Sequence, residues 1–223
     1  MTAPLALWHS TAGNEARFAA LIEALAPGIP VRHRTRPELL AAAQPELTPE
    51  VRRRVAIDIL ELVDQGAGAV LCTCSTLGPG AESAAELTSV PVLRVDRPMI
   101  EAALDRGPRI TVAAALASTL GPTGDLLRRV ARERGVVPEI REIVCEGAWT
   151  YQERGDAQGY SRAIAAAIRR ALGPADAVVL AQASMAGAVE LLADLGVPVL
   201  ASPPLGVAAA VAAWRRAVAG GGA

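Results

Sequence analysis

The sequence predicts an α/β fold made of two pseudo-symmetric, doubly wound lobes, each with its own parallel sheet. Short apolar runs alternate with amphipathic stretches along the whole chain, which is typical of a parallel sheet covered by helices. Residues 70–78 are echoed by residues 179–185, and four apolar runs precede residue 96 while four follow it. We therefore expect one lobe of residues 1–96 plus 205–223 and a second of residues 97–204, joined by a linker at residues 95–98.

The strands are predicted from the apolar runs and the helices from the amphipathic stretches between them. Thr48 and Pro49 mark a helix start, because threonine is a good N-cap and proline fits the first helical position. The last predicted helix is expected to pack back on the first lobe. Strands are predicted at residues 5–9, 31–34, 69–72, 92–95, 110–114, 140–144, 178–181 and 199–201, and helices at 14–26, 50–63, 123–134, 160–172 and 205–218.

The internal repeat carries an asymmetry at the strand tips. In each half an apolar run ends in small polar residues and is followed by a helix-like segment and a Pro-Val-Leu strand. An alignment without gaps places Ser75 on Ser184 and Cys74 on Ala183. One half therefore has a thiol at its strand tip, and the other half has none.

Composition excludes several classes of function. The chain has no lysine, so neither a Schiff-base lysine nor a phosphate-binding loop that needs lysine is possible. A net charge of −1 argues against a nucleic-acid partner, which would require a concentrated basic patch. No apolar run has the length of a membrane span, and the N-terminus lacks the basic region of a secretory signal. We therefore expect a soluble, cytoplasmic protein without a membrane partner.

The cysteines and histidines do not form a recognisable metal or disulfide pattern. Three cysteines without a signal peptide argue against a disulfide framework. Cys72 and Cys74 are too close in sequence for a usual zinc pair, and His9 and His33 are not spaced as a metal motif. We expect no metal site.

Polar residues gather at the predicted strand tips. The carboxyl ends of parallel strands meet at one edge of a sheet, where ligands bind. Hydroxyls, amides and helix N-termini at such an edge form a receptor for a carboxylate. The alternative is that these serines and threonines only cap helices. The predicted substrate-binding residues are His9, Ser10, Ser75, Thr76, Ser118, Thr119, Gln182 and Ser184.

Cys74 is the candidate catalytic residue. It follows the apolar run, at a point where a helix is expected to begin, and a helix N-terminus lowers the pKa of a thiol. A thiolate there is able to act as a base or a nucleophile. Cys72 and Cys145 are predicted to be buried in the core. His9 is either an acid, base or carboxylate partner, or a hydrogen-bonded structural histidine.

Several of these motifs resemble the aspartate/glutamate/hydantoin racemase superfamily. Residues 71–76, with Cys-Ser-Thr after an apolar strand, resemble the Cys-Asn-Thr motif of its first half. Residues 179–186 are similar to its second-half motif, most closely that of hydantoin racemases, and residues 117–120 to its hydroxyl-rich turn after the fifth strand. The resemblance covers nearly the whole chain.

The resemblance implies two α/β lobes with the active site in the cleft between them, a homodimer, and a cofactor-independent reaction at an acidic carbon. In the racemases two cysteines face each other across the substrate, one removing the α-proton and the other delivering a proton. Cys74 matches the first cysteine. Gln182 or Ala183, depending on the alignment, replaces the second, and neither exchanges protons usefully near neutral pH.

The predicted function is therefore that of a racemase-family isomerase acting on a small carboxylate or amino-acid derivative, with Cys74 as a single proton carrier. A decarboxylase or a cis-trans isomerase that uses one cysteine is the alternative within the superfamily. A protein that binds small carboxylates without catalysis is the alternative from a different class.

Overall fold

The computed structural model describes residues 2–220, which form eight strands and nine α-helices. All strand pairs are parallel. The first sheet has the order β2-β1-β3-β4, and the second has the order β6-β5-β7-β8. The strands are β1 (Leu5–His9), β2 (Val31–Thr35), β3 (Ala69–Cys72), β4 (Val92–Arg94), β5 (Arg109–Ala114), β6 (Glu139–Val144), β7 (Ala177–Leu180) and β8 (Val199–Ala201).

The helices connect successive strands and cover the sheets. Two short 3-10 helices, Ala183–Ala188 and Glu190–Leu192, replace an α-helix after β7. A third 3-10 helix, Ala117–Thr119, follows β5. The α-helices are α1 (Gly13–Leu25), α2 (Pro37–Ala42), α3 (Pro49–Asp64), α4 (Gly78–Ala85), α5 (Arg97–Leu104), α6 (Leu120–Glu133), α7 (Ala148–Glu153), α8 (Ala157–Ala171) and α9 (Ser202–Gly220).

The chain divides into two compact units, one holding the chain up to Val95 and from Pro203 onward, the other Asp96–Ser202. Each unit contains one four-stranded parallel sheet with flanking helices, so the predicted α/β class and the two related lobes are confirmed. In the first unit, Trp214 of α9 donates a hydrogen bond from Nε1 to the carbonyl of Ala3 at 2.8 Å. Met1 and residues 221–223, which belong to the predicted first lobe, lie outside the described residues.

The two sheets bury their central strands completely. Every residue of β1, β3 and β7 is buried, and so are five of the six residues of β5. Strands covered on both faces are apolar along their whole length, which is why these runs were recognisable in the sequence. The edge strand β2 is mainly half-buried and carries two arginines, whereas four of the six residues of the edge strand β6 are exposed and it carries one arginine and two glutamates.

Hydrogen bonds correct the internal alignment by one residue. The N–H of Thr73 donates to the carbonyl of Trp8, and the N–H of Ala181 donates to the carbonyl of Ala113, both at 2.9 Å. Thr73 thus corresponds to Ala181, and the residue after it, Cys74, corresponds to Gln182. The prediction that Cys74 matches Ala183 is wrong.

The corrected register also changes which neighbouring residues correspond between the two units. Ser75 corresponds to Ala183, and Thr76 corresponds to Ser184, so the predicted match of Ser75 to Ser184 is wrong as well. Strands β3 and β7 are buried on both faces, so both sequences are apolar throughout. A slip of one residue therefore leaves no mismatch in hydropathy, although it exchanges the two faces of a strand.

The helix after β3 begins later than predicted. Helix α4 starts at Gly78 with Leu77 as its N-cap, so Cys74 lies in the connection before the helix and not at its N-terminus. The intervening turn is closed by a hydrogen bond from the N–H of Gly78 to the carbonyl of Ser75 at 3.2 Å. The argument from a helix N-terminus therefore does not apply to Cys74.

None of the helices of residues 2–220 combines the length and the apolar character that crossing a lipid bilayer requires.

Candidate active site

Cys74 lies at the carboxyl end of β3, in a turn whose neighbouring residues are fixed by buried polar groups. The residue is 8% exposed, and the thiol of Cys72 contacts its carbonyl at 3.6 Å. Thr73 and Ser75, on either side of it, are also buried. Buried backbone and side-chain polar groups require partners, and these partners define the geometry of the turn.

His9 fixes Thr73 from the tip of the neighbouring strand β1. The Nδ1 atom of His9 lies 2.8 Å from the hydroxyl of Thr73, which itself donates to the carbonyl of Trp8 at 3.3 Å. Asn14 adds a hydrogen bond from Nδ2 to the same hydroxyl at 3.4 Å. The hydroxyl of Thr73 is thus held by an imidazole, an amide and a backbone carbonyl.

The second nitrogen of His9 is also occupied. Nε2 lies 2.9 Å from Nδ1 of His33 on β2, and the two imidazole rings stack with their centroids 5.2 Å apart. In the neutral ring only one nitrogen carries a hydrogen, so one of these two contacts is donated by His9 and the other is accepted. Burial, together with the charge of His33, lowers the pKa of His9 to about 4, although Glu15 opposes this shift.

These contacts favour one of the two alternatives that the sequence left open for His9. The side chain is fully buried, and both ring nitrogens are bonded to protein groups. This is the arrangement of a hydrogen-bonded structural histidine. Its role as a direct substrate ligand stays a prediction.

Arg94 fixes the other side of the turn from the tip of β4. Its Nη2 donates to the carbonyl of Ser75 at 3.3 Å, and Nη1 pairs with Glu82 of α4 at 3.2 Å. The guanidinium packs against Gly78, where a Cβ would come within 2.6 Å of it. A side chain at position 78 would therefore require the Arg94 guanidinium to shift.

In the second unit the corresponding turn is held by Gln182 itself. Its Oε1 accepts hydrogen bonds from the backbone N–H groups of Ala115 at 2.7 Å and Leu116 at 3.2 Å, which follow β5. The side chain is half-buried. The amide oxygen thus ties the tip of β7 to the tip of β5, two neighbouring strands of the sheet.

The predicted hydroxyl residues differ in their surroundings. Ser184 lies 3.0 Å from the hydroxyl of Tyr160, whose ring packs edge-on against Trp149. Ser118 is exposed and Thr119 is buried, both in the 3-10 helix after β5. In the first unit Ser10 is buried and Thr76 is half-buried.

Helix capping does not explain these residues. The helices that follow β1, β3, β5 and β7 begin at N-caps without a side-chain hydrogen bond. Thr48, by contrast, caps α3 by accepting from the N–H of Val51 at 3.3 Å, as the sequence predicted. The alternative that the strand-tip hydroxyls serve only as caps is therefore wrong for these four connections.

The other two cysteines have the buried character expected of them. Cys72 and Cys145 are fully buried. Burial raises the pKa of the Cys145 thiol to about 11, although the charge of Arg170 opposes this. Within residues 2–220, His, Cys, Asp and Glu side chains form no group of three or more that would hold a metal ion.

Sequence reasoning missed Thr73, Asn14, His33 and Arg94. Arg94 had a signal, because a charged residue inside the apolar run Val-Leu-Arg-Val is unusual unless it is paired. Thr73 had a weaker one, as a polar residue directly after a buried strand. His33 and Asn14 had none, because their roles depend on contacts with other strands and helices.

Two similar α/β units, each with polar residues at the carboxyl ends of its parallel strands, place this chain in the class of two-lobed α/β proteins. The sequence matches the family model of Asp/Glu/Hydantoin racemase over residues 10–210. The chain therefore belongs to the Asp/Glu/hydantoin racemase family. A search of curated proteins finds no match.

Solved structures show the same fold. Glutamate racemase from Thermus thermophilus, in complex with beta-chloro-D-alanine, has a TM-score of 0.72 at 20% identity, covering 96% of this chain and 81% of that one. Aspartate racemase of Picrophilus torridus has a TM-score of 0.72 at 12% identity, with coverage of 96% and 94%. A mutant of arylmalonate decarboxylase in a sulfate-associated form has a TM-score of 0.61 at 23% identity, with coverage of 99% and 94%.

Proposed function

We propose that this chain is a cofactor-independent enzyme that acts at the acidic α-carbon of a small carboxylic acid or amino-acid derivative, with the Cys74 thiol as its proton carrier. Family membership supports the reaction class. The observation that carries the proposal is the turn around Cys74, in which His9 and Arg94 fix the residues on both sides. A reacting group needs this kind of positioning, because small displacements cost large factors in rate.

The chemistry requires a base and a means of stabilising the carbanion. A thiolate at Cys74 removes the α-proton and becomes a thiol, which returns a proton to the carbanion, and the developing enolate is stabilised by hydroxyl and backbone N–H donors at the strand tips. Gln182, which corresponds to Cys74 in the second unit, has an amide that does not exchange protons usefully near neutral pH. A single proton carrier delivers its proton to one face of the substrate.

Within the family, racemase or epimerase activity is the first candidate and decarboxylation or cis-trans isomerisation the second. The single thiol is the reason for the second candidate, because two-base racemisation uses a proton carrier at each face of the substrate. Arylmalonate decarboxylase is among the structures with the same fold, although at 23% identity this shows the fold alone.

Solvent deuterium incorporation tests the proposal. The protein is incubated in D₂O with a panel of amino acids, hydantoins and malonates, and exchange at the α-carbon is followed by NMR. We expect exchange in at least one substrate class, with deuterium in a single configuration if protonation is one-sided. No exchange in any class, with a protein that is folded and binds the compounds, would overturn the enzymatic proposal.

That same outcome would support a carboxylate-binding protein without catalysis, the alternative from a different class. It is favoured by Gln182, since the thiol expected for two-base chemistry is absent from the second unit. We also expect a cytoplasmic homodimer without nucleic-acid or membrane partners, and light scattering in solution tests the oligomeric state.

A further inference from the structure

A cavity of about 700 Å³ lies on the surface of the second unit. It is formed by the end of α6, the connection after this helix and the beginning of β6. The polar strand tips of this unit lie at the carboxyl ends of its parallel strands, which is the opposite edge of the sheet. Small-molecule sites commonly measure about 300–1,000 Å³. The cavity therefore has the size of a ligand site, and it is separate from the polar strand tips of this unit.

Backbone hydrogen bonds close the end of α6 beside the cavity. The N–H of Val136 donates to the carbonyl of Ala131 at 2.8 Å, and the N–H of Gly135 donates to the carbonyl of Arg132 at 3.1 Å. Gly135 has a φ of +68°, the left-handed conformation with which helices commonly end. The carbonyls at the end of the helix thus have donors within the chain. The residues that follow are folded back beside the helix, so the walls of the cavity are held by the backbone.

Two arginines one helical turn apart supply the charge of the cavity. Arg128 and Arg132 are both exposed and lie four residues apart on one face of α6. Arg128 pairs with the exposed Asp125 at 3.0 Å. Within residues 2–220, the guanidinium of Arg132 forms neither an ion pair nor a side-chain hydrogen bond. Because a guanidinium presents a planar set of N–H donors that matches a carboxylate, Arg132 offers an unused anion ligand.

The rest of the cavity lining is mainly apolar. Val137 is 87% exposed, more than any other large hydrophobic residue of the described chain. A single exposed valine is ordinary, but this one borders a cavity that also contains an unpaired cation. The apolar side chains of the lining are those of Val136, Val137, Pro138 and Ile140.

We infer that this cavity is a second binding site, which takes an organic anion with an apolar body, such as an arylalkyl carboxylate. The anionic head pairs with Arg132 and, in competition with Asp125, with Arg128. The apolar body covers Val137 and its neighbours and removes their surface from water. An inorganic anion lacks the apolar contact, and a neutral compound lacks the ion pair. The inference is independent of the proposed function, because none of these residues belongs to the candidate active site.

A titration followed by amide NMR tests the site. The probe is phenylbutyrate, compared with acetate, which has no apolar body, and with phenylbutanol, which has no charge. We expect phenylbutyrate to shift the amide signals of Gly135, Val136 and Val137, with an affinity about 10-fold or more above that of either comparison compound. A ligand at the strand tips would instead shift the amides of Cys74 or Gln182, so the spectrum separates the two kinds of site.

Arg132→Gln is the decisive variant, because it removes the unpaired cation at an exposed position. The affinity for phenylbutyrate should fall about 10-fold. Arg106→Gln makes the same change at an exposed arginine of the same unit that does not line the cavity, and it should leave the affinity unchanged. Asp125→Asn should act in the opposite direction and raise the affinity about two- to threefold, since it removes the carboxylate that competes for Arg128.

Each outcome decides the inference. It is overturned if phenylbutyrate at about 10 mM leaves the three amides unshifted, or if acetate or phenylbutanol binds equally well. It is also overturned if Arg132→Gln and Arg106→Gln lose the same affinity, or if Asp125→Asn weakens binding. If Arg132→Gln does not fold, Val137→Ser must lower the affinity about threefold or more, because it removes the exposed apolar surface. Turnover is not part of the readout, so an absence of deuterium exchange would contradict the proposed function and not this inference.

Discussion

The turn after β3 and the turn after β7 occupy corresponding places in the two units but are held in opposite ways. His9 and Arg94, from other strands, hold the residues around Cys74. In the second unit the side chain of Gln182 holds its own turn. Where neighbouring residues supply the support, the geometry of the turn does not depend on the residue at the tip. Under the proposed function, this support allows the first unit to hold a reactive group there.

The largest expected effect comes from Cys74→Ser. This variant preserves the size of the side chain and removes the thiol, so deuterium exchange should fall about 10⁴-fold or more. The melting temperature should stay within a few degrees, because the surrounding residues hold the turn. NMR exchange and calorimetry check both expectations.

Cys145→Ala is the matched control, because it removes a fully buried thiol from the second unit. It should lower stability through lost packing and leave the exchange rate per folded molecule unchanged. Full exchange activity in Cys74→Ser would remove this thiol from the mechanism.

Arg94→Met tests whether the turn is held from outside. It removes a buried guanidinium that bonds the Ser75 carbonyl and pairs with the Glu82 carboxylate, which should lower the free energy of unfolding by about 3 kcal/mol or more. Exchange activity should fall as well, because the turn is no longer fixed. Urea unfolding followed by tryptophan fluorescence measures the stability.

Arg134→Met is the corresponding control at an exposed ion pair with Asp105. Removal of a solvent-exposed pair should cost less than about 1 kcal/mol. Equal losses in the two variants would show that Arg94 contributes no more than a surface charge.

The contrast between the two turns was only partly predictable from the sequence. The positions of the strands were predictable, because β1, β3, β5 and β7 are buried on both faces and contain few polar residues. The register of the repeat was not, because the same burial makes neighbouring positions chemically alike. The hydrogen-bond partners that hold the turns at Cys74 and Gln182 were not predictable either. They lie at the ends of strands that are distant in sequence.

His9 makes the first unit sensitive to acid. Its pKa is lowered to about 4, first by burial and then by His33, so the folded state keeps the ring neutral. The unfolded chain takes up a proton below about pH 6.5. The contribution of His9 to the free energy of unfolding is therefore fully present above pH 6.5. It declines by on the order of 3 kcal/mol as the pH falls toward 4.

His9→Asn isolates this contribution. Asparagine has an amide N–H for the Thr73 hydroxyl but does not titrate. The difference in unfolding free energy between the wild type and this variant should therefore shrink between pH 7 and pH 4. A pH-independent difference would contradict the neutral, doubly bonded histidine.

The smallest expected effects are the losses of stability when a capping hydroxyl or a strand-tip hydroxyl is removed, and comparing the two distinguishes their roles. Thr48→Ala removes the bond to the N–H of Val51 and should cost about 1 kcal/mol of stability. Ser118→Ala, at an exposed position without a capping bond, should cost less than about 0.5 kcal/mol. Ser118 is predicted from the sequence to bind substrate, so its replacement should raise KM in the exchange assay while Thr48→Ala leaves KM unchanged. A stability loss at Ser118 equal to that at Thr48, with KM unaltered, would return the strand-tip hydroxyls to a purely structural role.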